Sequence, residues 1–184
     1  YRPTFDLQTV FNIFRYDIED LIDYVGGVSQ NVNDQDGYGL EADVVWKATD
    51  SVEVLANYAW QHSEDSNSGA TIAEAPARQA SVGLRYKATD NCLFNTQANW
   101  VADRDRAVGD TRNAVDDYTL VDLTMRCDVN NYPVEMAVSV RNAFDEDARE
   151  PSPYNATLAT APIANDFPLE GRSIYIEATY HFDK

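Results

Sequence analysis

Apolar and polar positions alternate with a period of two along almost the whole chain. From 52 the even residues Val52, Val54, Ala56, Tyr58 and Trp60 are apolar, and Glu53, Asn57 and Gln61 fall between them. Ala80, Val82, Leu84 and Tyr86 alternate with Ser81, Gly83 and Arg85, and Phe94, Ala98 and Trp100 with Asn95, Gln97 and Asn99. The pattern recurs in Val121, Leu123 and Met125 against Asp122, Thr124 and Arg126, and in Val134, Met136, Val138 and Val140 against Glu135, Ser139 and Arg141. It closes with Ile174, Ile176, Ala178, Tyr180 and Phe182 against Tyr175, Glu177, Thr179 and His181. Successive strand side chains point to opposite faces, so each segment has one apolar and one wet side. Leu40, Ala42, Val44 and Trp46 against Glu41 and Asp43, with an opening run near 5 to 24, bring the count to eight strands and leave no room for an ordinary helix. In the opening run Phe11 and Ile13 oppose Phe14 and Tyr16 in parity, which predicts a bulge or an upward extension and leaves its facing open.

The connections are unequal. Ala48-Thr49-Asp50-Ser51, Ala88-Thr89-Asp90-Asn91 and Val129-Asn130-Asn131-Tyr132-Pro133 read as tight turns. The links near 25–31, 63–76, 103–116 and 145–171 are longer and rich in Gly, Asp, Asn, Ser and Pro; the last, with Pro151, Pro153, Pro162 and Pro168, is expected to be external and mobile or ligand-ordered. Trp46-Lys47-Ala48-Thr49-Asp50 recurs forty residues later as Tyr86-Lys87-Ala88-Thr89-Asp90.

A soluble β-sandwich is the ordinary home of alternating strands. Short turns at one end and long loops at the other point instead to an antiparallel transmembrane β-barrel. Trp46, Tyr86, Tyr180 and Phe182 at the turn end, and Tyr58, Trp60 and Trp100 toward the loop end, fit two interfacial girdles. Composition agrees. Among 184 residues, 14 Lys+Arg face 31 Asp+Glu, a net charge of −17 without a basic cluster, which argues against nucleic acid as a partner. Mean hydropathy is −0.46 and no purely hydrophobic run exceeds three residues, which excludes a membrane-spanning helix of about 20 apolar residues but not a barrel. The chain opens at Tyr1 without a basic stretch ahead of an apolar core, the expectation being a mature chain or a fragment of something longer.

Four segments in this order resemble the barrels of TonB-dependent outer-membrane receptors. Gly37-Tyr38-Gly39-Leu40-Glu41 resembles their G-x-G-x-E strand start, and Arg141-Asn142-Ala143-Phe144-Asp145 their N-x-F-D element. Gly171-Arg172-Ser173 leading to Tyr180-His181-Phe182 is similar to their final strand, whose aromatic ending the barrel-assembly machinery reads, although Asp183-Lys184 follows here. Arg15-Tyr16-Asp17-Ile18-Glu19-Asp20-Leu21-Ile22 is similar to a strand running on into an external loop. The resemblance implies that 1–184 is a carboxy-terminal segment of a barrel of about 22 strands in the bacterial outer membrane. It implies uptake of a scarce ligand such as a ferric siderophore, cobalamin or a carbohydrate. Its partners would be outer-membrane lipid, a small-molecule ligand, and, through regions missing from this chain, a plug domain, the remaining strands and the TonB energy-coupling complex. The alternative is a complete small eight-stranded porin-like or structural barrel.

Side-chain charge bears on that choice. The inward parity holds Glu41, Asp43, Glu53, Asp122, Glu135 and Glu177 against Arg85, Arg126 and Arg141, with Asn57, Asn95, Gln97 and Asn99 as further lumen-lining residues. Six carboxylates against three arginines suit a wide wetted lumen better than the filled interior of eight strands. Arg104, Arg106, Arg112, Arg149 and Tyr154 are candidate ligand contacts in the long loops; local ion pairs with Asp103, Asp105 and Asp110 are the other reading. An enzyme is not expected. His62 and His181 fall at opposite ends of the strands, and the carboxylate pairs Glu64-Asp65, Asp116-Asp117 and Asp145-Glu146-Asp147 read as solvated loop residues rather than acid-base or calcium sites. No cofactor or metal is expected. Asn155-Ala156-Thr157 has the form of a glycosylation sequon and is read as chance. Cys92 and Cys127 share the apolar parity near the turn end, a possible disulfide if the strands register them opposite one another.

Overall fold

The computed structural model describes residues 6–25, 28–73, 75–155 and 158–182. Eight strands follow one another as an antiparallel meander: β1 (Asp6–Val25), β2 (Val28–Thr49), β3 (Val52–Asp65), β4 (Pro76–Thr89), β5 (Cys92–Arg104), β6 (Tyr118–Asp128), β7 (Val134–Arg141) and β10 (Ser173–Tyr180). Between β7 and β10 lies a ribbon of two residues a side, β8 (Arg149–Glu150) and β9 (Phe167–Pro168). The sheet is not closed: β1 and β10 are its two edges. Among the described residues no helix occurs.

The repeated Lys-Ala-Thr-Asp segments build two equivalent turns. In each the register slips by one residue, at Ala48 and at Ala88. The threonine hydroxyl then accepts the backbone N–H two residues on, Ser51 to Thr49 at 3.1 Å and Asn91 to Thr89 at 3.3 Å, the local bond that makes Ser and Thr turn formers. Each turn is also stitched to the next strand, Lys87 N–H to the Ser51 carbonyl at 2.8 Å and Asp128 N–H to the Asn91 carbonyl at 2.9 Å.

The segment 25–31 is not a long loop, because β2 already begins at Val28 and pairs with β1 up to Val25. The opening strand is continuous through Phe11 to Tyr16, and its irregularity lies higher, between Ile18 and Ile22, with Asp20 at φ +59°. Its facing follows from the partners. Phe11 and Ile13 oppose Ala42 and Leu40 on the apolar face, whereas Phe14 and Tyr16 oppose Gly39 and Gly37 on the polar face. The two rings lie stacked, centroids 6.4 Å apart, over the bare glycine backbone. A Cβ at Gly39 would come within 2.5 Å of both the Phe14 ring and the Trp60 carbonyl, so glycine is required there by space. The Tyr16 hydroxyl ends this cover in hydrogen bonds with Ser63 Oγ at 2.5 Å and Gln35 Nε2 at 2.8 Å.

Candidate functional site

Register sets the polar residues in rows across the strands. Glu53, Arg85, Asn95, Thr124, Ser139 and Tyr175 form one row, and Asp43, Asn57, Ser81 and Asn99 another. Gly83, Gln97 and Asp122 lie between them, and the polar side chains line a hollow of 780 Å³ on this face. Glu53 pairs with Arg85 at 3.0 Å; Arg126 pairs with Glu135 and, at 3.5 Å, with Glu177. Arg141 stands over the Tyr175 ring, 5.8 Å from its centroid. Glu41, Asp43 and Asp122 have no ion-pair partner among the described residues; Glu41 accepts from Asn12 Nδ2 at 3.5 Å and Asp122 from the Asn142 backbone at 2.9 Å.

The other face carries Trp46, Tyr58, Trp60, Tyr86 and Trp100 in register with Val54, Ala42, Leu40, Phe94 and Ala80. Tyr180 packs edge-to-face on Phe182 at one end, and Tyr38 on Trp60 at the other, with centroids 4.7 Å and 5.6 Å apart. Cys92 opposes Cys127 directly, Cα atoms 4.2 Å apart, and the two are joined by a disulfide. Asp183 and Lys184, after Phe182, and Ala156-Thr157 of the sequon lie outside the described residues.

Where β7 ends, Asn142-Ala143-Phe144-Asp145 makes a corner. Asn142 is 4% exposed and takes φ +45°, a left-handed conformation that asparagine tolerates better than most residues. Its Nδ2 donates to the carbonyls of Glu146 at 2.9 Å and Glu170 at 3.2 Å, and its Oδ1 accepts the Glu146 N–H at 2.9 Å. Asp145 Oδ1 accepts the Arg172 N–H at 2.9 Å. The motif thus ties the exit of β7 to the entry of β10 across the whole intervening loop.

That loop, 142–172, is packed against 105–117, the loop between β5 and β6. Arg106 forks onto Asp166, Nη1 to Oδ1 at 3.0 Å and Nη2 to Oδ2 at 2.7 Å. Arg112 reaches the same carboxylate at 3.0 Å and grips Asp110 through Nε and Nη2 at 2.6–3.0 Å. The buried Ser152 donates its N–H to Asp166 Oδ1 at 3.0 Å, and its hydroxyl and carbonyl oxygens accept from Arg112. The flanking guanidiniums lower the pKa of both carboxylates, Arg112 chiefly for Asp110 and Arg106 chiefly for Asp166, the latter held well below the usual carboxylate range. Arg104 is fully enclosed, bonded to the carbonyls of Arg149 (2.6 Å) and Asp116 and stacked 4.8 Å from the Tyr118 ring.

The structure therefore gathers Arg104, Arg106, Arg112 and Arg149 into one place but turns them toward the loops themselves. Arg149 donates to the Asn165 carbonyl at 2.8 Å and pairs with Asp147 at 3.0 Å; Tyr154 lies beside Gly109. Of the local pairings expected, Asp110 is engaged, whereas Asp103 pairs with Arg78 of β4 at 3.0 Å. Among the described residues of 145–171, Ala148, Ser152 and Asp166 are buried, the last two against the neighbouring loop. Its principal partner residue, Asp166, carried no sequence signal, being one acid among 31. The remaining paired acids serve locally: Asp117 accepts the Asp103 N–H at 3.1 Å, and Glu64 faces His62 at 3.5 Å. Among the described residues no group of three His, Cys, Asp or Glu side chains is placed to hold a metal ion.

Comparison with known proteins agrees with this geometry. The family model described as "TonB dependent receptor-like, beta-barrel" matches residues 1–143. No curated protein matches the sequence. Among solved structures, the ferric-catecholate import receptor Fiu from E. coli superposes with a TM-score of 0.72 at 20% identity, over 96% of this chain and 25% of that one. The ferric enterobactin receptor PfeA from Pseudomonas aeruginosa gives 0.75 at 18%, over 95% and 29%, and the copper transporter OprC gives 0.73 at 18%, over 95% and 29%. At such identities these are likenesses of fold, and the chain spans less than a third of each. The chain belongs to the β-barrel family of TonB-dependent receptors, proteins of the bacterial outer membrane.

Proposed function

We propose that this chain is the carboxy-terminal part of the barrel wall of a receptor for energy-coupled uptake of a scarce metal complex, a ferric siderophore being the class its structural neighbours favour. The apolar face with Trp46, Tyr58, Trp60, Tyr86, Trp100, Tyr180 and Phe182 meets lipid, the polar face lines the lumen, the tight turns face the periplasm, and the loops 66–75, 105–117 and 142–172 lie outside. The observation that carries the reading is the trio Glu41, Asp43 and Asp122, three carboxylates of the polar face without an ion pair among the described residues, two of which, Asp43 and Asp122, line the hollow of a sheet that stays open. Eight strands closed on themselves would bury them in a side-chain-filled core, at high cost. In a wider barrel they meet water or a plug domain. A ligand would then first meet the outer surface of these packed loops.

The test uses the whole gene. Cells carrying the complete receptor should accumulate radiolabelled iron from a siderophore panel only when both the receptor and TonB are present. Steady ion conductance through purified protein in a planar bilayer, with no TonB-dependent accumulation of any complex, would overturn the reading in favour of a small open barrel.

A further inference from the structure

Arg106 and Arg112 are held in place by their own loop, independently of Asp166. Arg106 Nε donates to the Asn113 carbonyl at 2.5 Å, and Arg112 is clamped by Asp110 through three contacts. Both Nη atoms of Arg106 and Nη1 of Arg112 reach the Asp166 carboxylate, where the Ser152 N–H adds another donor, while Arg112 also donates to Ser152 Oγ at 2.7 Å, to the Ile163 carbonyl at 3.2 Å and to the Ser152 carbonyl at 2.8 Å. Planar, forked donors meeting from two guanidiniums match the oxygens of a carboxylate. The carboxylate now in that position comes from Asp166, sixty residues away from Arg106 and on the other loop.

We infer that the Arg106–Arg112 pair is a carboxylate-binding cradle, filled in cis by Asp166, and that a ligand carboxylate entering it loosens the segment 158–166 that carries Asp166. Asp166 is thus a latch: while it is seated it ties its own segment to both guanidiniums, and exchange of one carboxylate for another loosens that segment while Arg112 stays paired with Asp110 and bonded to Ser152. Because the displaced group and the entering group carry the same charge, the exchange conserves the ion pairing, whereas a neutral ligand gains nothing by entering. The inference rests on the receptor reading only for the identity of the natural ligand; the cradle itself is a property of these residues.

The experiment is chemical rescue in the full-length receptor, read by limited proteolysis within 155–165 and not by uptake, so a failed transport assay leaves it intact. Asp166→Ala should raise the cleavage rate about a hundredfold, as loss of one partner from a buried pair implies. Formate, but not chloride at the same ionic strength, should restore protection by filling the vacated position. In Asp166→Ala combined with Arg106→Gln, formate should restore nothing. If formate fails in the single variant while circular dichroism and gel mobility show a folded barrel, or if chloride protects equally, or if rescue survives Arg106→Gln, the cradle is refuted. Asp166→Asn is a second variant that keeps the loop's volume; it should cleave faster than wild type and, because its amide fills the position, should not respond to formate. A formate response there also counts against the cradle.

Discussion

Asn142 offers a sharp test of how the loops are anchored. Replacing it by Ala removes three hydrogen bonds, two donated by Nδ2 and one accepted by Oδ1. At a net value of about 1 kcal/mol each, their loss costs about 3 kcal/mol. The backbone at φ +45° adds about 1 kcal/mol for a residue whose Cβ is no longer offset by local asparagine bonding. Water reaching the carbonyls of Glu146 and Glu170, both at exposed residues, returns part of this, so the expected loss is about 2–4 kcal/mol. Asn142→Gly keeps the hydrogen-bond loss but tolerates the conformation, and should be milder by about 1 kcal/mol. Asn142→Asp is the informative case. It is nearly isosteric and can still accept the Glu146 N–H, but it points a carboxylate at two carbonyl oxygens, so it should destabilise at least as much as Ala. The assay is urea unfolding of the complete receptor in lipid vesicles, followed by the mobility shift between folded and unfolded barrel. An Asp variant as stable as wild type would show that the Nδ2 contacts do not hold the corner and would sink the argument.

Arginine in place of Val138 or Leu84, on the apolar face, should cost about 2–4 kcal/mol near the membrane midplane, and the same change at Ser139 or Gly83 much less; equal losses in vesicle folding would contradict the facing. Gly39→Ala should reduce the folded yield, and Phe14→Ala should not rescue it, because the Trp60 carbonyl, which is backbone, blocks the new methyl as closely as the ring does. Non-reduced peptide mapping of protein taken from the outer membrane should find Cys92 linked to Cys127, a bond closing a 35-residue separation and worth roughly 3–4 kcal/mol by loop entropy; alkylation of both thiols without prior reduction would refute it. Asp166 has its pKa depressed in the folded state, so its contribution is present above the ordinary carboxylate range and fades only as pH falls below about 4. Pepsin should therefore spare 155–165 at pH near 4 relative to pH near 2.

Period-two alternation was enough to place the eight strands of the sheet and, for all but the first, which side chains share a face, because a strand with one apolar side writes its geometry directly into adjacent residues. The facing of β1 was not legible for the same reason. Phe14 and Tyr16 are apolar on the polar face, and only their partners Gly37 and Gly39 explain them, which requires the register of the neighbouring strand. The Cys92–Cys127 parity could be read, but their opposition could not, since the loop 105–117 is too long to set a register as a tight turn does. The link at 25–31 misled because Gly and Asn signal a turn wherever they occur, although here the residues from Val28 on are already paired in β2. The arginines were noticed, yet their roles depend on Asp166, and irregular loops carry no periodicity that would announce a contact across sixty residues.

Strand length falls steadily in importance at the mouth from one side of the sheet to the other, with 20 and 22 residues in β1 and β2 against 8 each in β7 and β10. At about 3.3 Å per residue, β2 is roughly 70 Å of extended chain and β10 roughly 26 Å. With the turn ends level, the rim is a ramp, its crest at the β1–β2 hairpin and its low side under the latched loops. With the loops outward, as proposed, antibodies, phage fibres and other bulky visitors would touch the crest of this segment first, while a small solute would slip in along its low side. Sequence change driven by such visitors should gather on the crest, where it leaves the corner at Asn142 and the Arg106–Asp166 contact undisturbed.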